Sequence, residues 1–157
     1  MTAREWRGLS AGLETALRGA GAEPLIVAAP HPGAMIAAAW RGQVPILTRG
    51  DRIYWPNAPA DLSGTGAMAV LQHELQHVLD YTTGWLTGRR YLGDPRHWSY
   101  AIDPGWIGDF ATLGAEQRAV LTERLWLAEA GVRPRAEIAG LRAVIPWARE
   151  ASAGPAN

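Results

Sequence analysis

Apolar positions recur three and four residues apart in several stretches of the chain, and each such run predicts an amphipathic helix. The first covers about Thr2 to Arg18, where Trp6, Leu9, Leu13 and Leu17 form a stripe that Gly19 and Gly21 end. Another runs from about Ala67 to Tyr81 with Val70 or Leu71, Leu75, Val78 and Leu79 facing the core. Asp61, Ser63 or Thr65 can cap it, and Gly84 is a plausible stop. Leu113 to Glu129 is a third helix. A fourth begins near Pro134, a residue suited to a first helical turn, and continues to about Glu150 with a disturbance at Pro146.

Between the first two helices the pattern changes. Pro24 to Ala28 is a short apolar run suited to a buried strand, and Pro30 to Gly33 is a turn. Ala34 to Trp40 and Val44 to Thr48 read as β-like runs; Arg49, Gly50 and Asp51 turn the chain, and a strand resumes over Arg52 to Trp55. Pro56 to Gly66 is a loop. Thr82 to Phe110 is a long loop region carrying Trp85, Tyr91, Trp98, Tyr100 and Trp106. The expected fold class is α+β: a small, partly antiparallel sheet packed with the helix over 67–81, then a mainly helical C-terminal half. A single domain over 1–150 and a disordered tail over 151–157 complete the expectation.

Composition narrows the function classes. Fifteen basic residues balance fifteen acidic ones, which leaves no electrostatic footprint for nucleic acid and no polybasic membrane patch. Every basic residue is Arg, so lysine nucleophiles and Schiff bases are absent. The chain has no cysteine, which excludes disulfides, thiolate chemistry and Cys-based zinc sites. No run approaches the length of a membrane span, and the first twenty residues lack the apolar segment of a secretory signal. The default location is the cytoplasm, with export by a specialised machine still open.

The remaining metal-ligand types are His, Asp and Glu, and one cluster stands out. His73-Glu74-Leu75-Gln76-His77 is an HExxH motif inside a predicted helix whose opposite face is apolar. Residues i and i+4 share a helix face, so two imidazoles can chelate one ion. Glu74 projects close by without being a ligand, placed to take a proton from metal-bound water and hand it to a leaving amine. The blander alternative is a helix bearing two surface histidines and a surface glutamate. A catalytic zinc takes a third protein ligand. The extended HExxHxxGxxH form is absent, since Asp80 and Thr83 stand where Gly and the third His would be. Glu116, thirty-nine positions after His77, is the best candidate, and a helix N-terminal carboxylate is the competing reading.

Three stretches together resemble small bacterial zincin-like metallopeptidase domains of the HExxH…Glu (gluzincin) kind, some of them associated with toxin or injection-system proteins. They are ILTRGDRIYWP (46–56), DLSGTGAMAVLQHELQHVLDY (61–81) and FATLGAEQRAV (110–120), roughly half of the chain and in preserved order. The resemblance implies a zincin fold, one zinc ion held by His73, His77 and Glu116, Glu74 as general base, and a peptide or protein substrate. It also implies a secretion-system or toxin-associated partner. It places Asp51 to Trp55 in the region where an edge strand pairs with extended peptide. The pattern departs from thermolysin-like enzymes at Val120, where an Asp would follow the third ligand by four residues. The group that orients a metal-bound histidine is then open among Asp80, Asp103, Asp109 and backbone carbonyls. Tyr91, His97, Tyr100 and Arg118 are candidates to polarise a substrate carbonyl. His97 is also a candidate substitute ligand, whereas His31, between two prolines, reads as an exposed loop residue. The expected activity is zinc-dependent peptide hydrolysis; the alternative is a catalytically silent zinc-binding or partner-binding module.

Overall fold

The computed structural model describes residues 8–41, 44–103, 106 and 108–153. Helix α1 (Ala11–Gly19) buries Leu13 and Leu17 as its periodicity requires. It starts nine residues later than the Thr2 start read from the sequence. Gly8, at φ 93°, occupies the left-handed region and breaks any helix running through it. The earlier positions, Trp6 included, lie outside the described residues.

Three short strands follow: β1 (Leu25–Val27), β2 (Leu47–Arg49) and β3 (Arg52–Tyr54). Their order is β1-β3-β2, with β1 parallel and β2 antiparallel to β3. The register aligns Ile26, Ile53 and Thr48 in one row, so all three share a face of the sheet. Two expectations are corrected here. Ala34 to Trp40 is not a strand but part of helix α2 (Pro32–Arg41). Four alanines favour the helix, and Pro32 is preorganised for its first turn. Asp51 to Trp55 does not supply a sheet edge, because β3 is the central strand; β2 is the edge strand that lies against the next helix.

That helix, α3 (Thr65–Thr82), is the centre of the molecule. Every residue from Leu71 to Asp80 is buried. Leu71, Leu75, Val78 and Leu79 belong to the hydrophobic core with Ile53, Leu13 and Leu125. Its polar residues, Gln72, His73, Gln76, His77 and Asp80, are also buried, because α5 (Ala115–Glu129) covers them. Gly84 at φ 76° ends the helix region as anticipated.

The long aromatic region is more structured than its composition suggests. It holds the short helix α4 (Gly88–Gly93), capped by Thr87, and a 3-10 turn over Pro95–Trp98, capped by Asp94. A second 3-10 turn over Phe110–Thr112, capped by Asp109, leads into α5. The residue before α5 is Gly114, where a Cβ would collide with the backbone oxygen of Arg96. The expected last helix is two: α6 (Glu137–Val144) and α7 (Pro146–Ala153), divided where Pro146 has no N–H to continue the ladder. Residues 151–153, expected in a disordered tail, finish α7; residues 154–157 lie outside the described residues. The architecture is α+β, a three-stranded mixed sheet on α3 with a mainly helical C-terminal half.

Candidate metal centre

His73 and His77 sit one turn apart on α3, on the side that α5 covers. Glu116 stands in the first turn of α5, and one ligand atom from each of the three lies within 4.8 Å of the others. The approach is closer at the carboxylate. Glu116 Oε2 is 3.1 Å from His73 Nε2 and 3.4 Å from His77 Nε2. Ligand atoms held at about 2.0–2.1 Å by one tetrahedral ion stand about 3.3 Å apart. The carboxylate oxygen is therefore at that spacing from both imidazoles, and this buried His/His/Glu group could hold one metal ion.

Glu116 is 5 % exposed, so solvent alone does not explain its charge. Burial pushes its pKa up, but hydrogen bonds from His73, His77 and Tyr91 overcome that and hold the carboxyl well below the usual range. Tyr91 Oη donates to Glu116 Oε1 at 2.8 Å, which leaves Oε2 for the histidines. The same burial and the nearby Glu116 charge push the Tyr91 phenol far up, so it stays a donor. At His73, burial favours the neutral ring, yet the bonds to Glu116 and Glu123 and the charge of Glu74 raise its pKa to about 9. Without metal, that shift favours the protonated His73 ring at neutral pH.

Glu74 is buried beside the triad without joining it. Its Oε2 accepts a 2.6 Å hydrogen bond from Thr48 Oγ1 on β2. The strand register puts Thr48 on the α3 side of the sheet, which explains the contact.

The other predicted site residues divide. Tyr91 touches Glu116, and the Tyr100 ring stacks on His73 at 6.0 Å and 17°. His97 and Arg118 serve the framework instead. His97 Nδ1 accepts the Ala115 N–H, capping α5 one residue before Glu116. Its ring packs against Trp85 and Tyr91. Arg118 makes a two-pronged ion pair with Asp80 at 2.6 and 3.0 Å, its guanidinium 3.9 Å from the Trp85 ring centre and 4.4 Å from that of Phe110. This pair takes Arg118 away from carbonyl polarisation and Asp80 away from histidine orientation. Asp109 caps its 3-10 turn, Asp103 is exposed, and His31 accepts the Gly33 N–H beside Tyr54. Sequence reasoning missed two residues next to the cluster, Thr48 and Glu123; Glu123 Oε2 lies 3.4 Å from His73 Nδ1. Glu123 had a signal, since seven residues after Glu116 is two helical turns on the same face.

Among the described residues, no helix is long and apolar enough to cross a membrane. No protein family, curated protein or solved structure matches the chain, and the centre stands on its own geometry.

Proposed function

We propose that the chain is a zinc-dependent metallopeptidase. The observation that carries this reading is the convergence of His73, His77 and Glu116 from two helices, with a separate buried carboxylate, Glu74, beside them. A His₂Glu set suits zinc, the borderline ion that accepts imidazole and carboxylate together. When bound, zinc supplies a Lewis acid and makes hydroxide accessible at neutral pH.

The chain's own residues do the rest. Tyr91 occupies Glu116 Oε1 and so presents Oε2 to the ion. Thr48 holds Glu74 Oε2, leaving the other carboxylate oxygen to take the proton of the attacking water and pass it to the leaving amine. Tyr100, 59 % exposed and stacked on His73, is the described residue best placed to meet a substrate carbonyl. An extended peptide bound beside α3 would pair with β2, the edge strand, and not with β3.

A second reading, a metal-holding or partner-binding module without turnover, draws on burial. His73, Glu74, His77 and Glu116 are each at most 9 % exposed. A surface depression of about 500 Å³ around Trp85, Arg89 and Asp94 shares no residue with them. The test is zinc content and hydrolysis of a mixed peptide library by the wild type and by Glu74→Gln. One zinc in both proteins, with cleavage by the wild type that falls at least about 100-fold in the variant, supports the peptidase. Equal zinc with no cleavage by either selects the silent module. A wild type without zinc removes the peptidase and the metal-holding module and leaves partner binding alone.

A further inference from the structure

We infer that Glu123 is a positioning residue that fixes the tautomer and aim of His73 for the metal; this rests on the metal-binding reading of the triad. The two ring nitrogens of His73 face two carboxylates of one helix. Nε2 is 3.1 Å from Glu116 Oε2, and Nδ1 is 3.4 Å from Glu123 Oε2. Both glutamates belong to α5, and their spacing of seven puts them two turns apart on the face that covers α3. The helix therefore grips the imidazole at both ends of the ring.

The consequence is chemical. A neutral imidazole has one N–H and one lone pair, and the hydrogen bond at one nitrogen decides which the other carries. In the metal-free protein Nε2 donates to Glu116 Oε2; a cation in the triad would take the place of that proton, and the carboxylate at Nδ1 would hold the ring's remaining N–H there, so that Nε2 could give its lone pair to the cation. The carboxylate also makes the ring a stronger donor to a cation. Tyr100 stacks on the face of the ring, and Glu123 Oε2 stands 3.4 Å from its Nδ1. His77 has no such support: its Nδ1 is buried without a hydrogen-bond partner among the described residues. The asymmetry makes His73 the ligand whose orientation depends on a carboxylate. Glu123 is the only one of its kind among the described residues, since Asp80 is committed to Arg118 and Asp109 to its turn.

The test uses the full chain and zinc itself. Zinc affinity is measured by competition with a chromophoric chelator for the wild type, Glu123→Gln and Glu123→Ala. The His73 ring nitrogens are observed by ¹⁵N NMR in the zinc-loaded proteins. Glu123 is partly exposed, so its replacement leaves the fold intact by circular dichroism. The expected result is an affinity loss of about 10–100-fold in Glu123→Ala. The wild-type Nδ1–H signal, protected from exchange, is lost in that variant. Glu123→Gln, whose amide oxygen still accepts the N–H, falls between. A purely structural role would not move the Nδ1–H signal. If the wild type binds zinc and Glu123→Ala matches it within about twofold with the signal intact, the inference is wrong while the metal centre survives. If the wild type binds no zinc, both fall.

Discussion

At His73 the proton and the metal compete for one site. Its pKa near 9 in the metal-free protein means that zinc uptake at neutral pH must expel a proton. Apparent zinc affinity should therefore rise by about tenfold per pH unit from pH 7 and level off near pH 9. The stability of the metal-free protein should move the other way. A His raised from 6.5 to about 9 contributes stability fully below pH 6.5, and that contribution is lost as pH rises through about 9. Competition titrations at pH 7, 8 and 9 check the first statement, and a flat profile would contradict it. HExxH placed His73, Glu74 and His77 from spacing alone, because four residues along a helix is one turn. Thr48 could not be read that way: its contact with Glu74 depends on strand register and on how the sheet lies across α3.

Between elements, the decisive joint is α3 against α5. Asp80 and Arg118 tie it with a buried ion pair, the Asp80 side chain 1 % and that of Arg118 11 % exposed. Gln76 extends the joint to Asp80, Thr122 and Trp147. Arg118→Ala strands a buried carboxylate, so a loss of about 3–5 kcal/mol in urea unfolding is expected. Asp80→Asn in the same background should recover much of it by removing the unpaired charge. A single variant within about 1 kcal/mol of wild type would mean that the pair does not join the helices. Helix existence was legible at this scale: α3 and α5 lie within two residues of their predicted limits. The run over 34–40 misled because apolar residues without a polar face carry no period; its alanines and Pro32 decided for helix. The short helices around Tyr91 and His97 were missed because side-chain caps hold them, not an apolar stripe.

For the whole molecule, the proposed ion would cross-link α3 to α5, the two elements that pack most extensively. Zinc at about 100 times its Kd should add about 2.7 kcal/mol. That corresponds to a rise of about 5–10 °C in Tm over chelator-treated protein, lost in His77→Ala and Glu116→Ala. A wild-type Tm indifferent to zinc and chelator would argue against the site. The amino-acid order by itself determined the helices that carry the centre, the histidine spacing and the absence of cysteine, since these depend only on local period and residue chemistry. Glu116 was ambiguous in the sequence between ligand and helix-end carboxylate. Only the tertiary structure brings it, forty-three residues along the chain, to 3.1 Å from His73. The same packing assigns Asp80 to Arg118, puts Thr48 on Glu74 and Glu123 beside His73, and makes β2 the edge strand next to α3. Those are relations between elements, set by the docking of α5 and the strand order, and no local pattern encodes them.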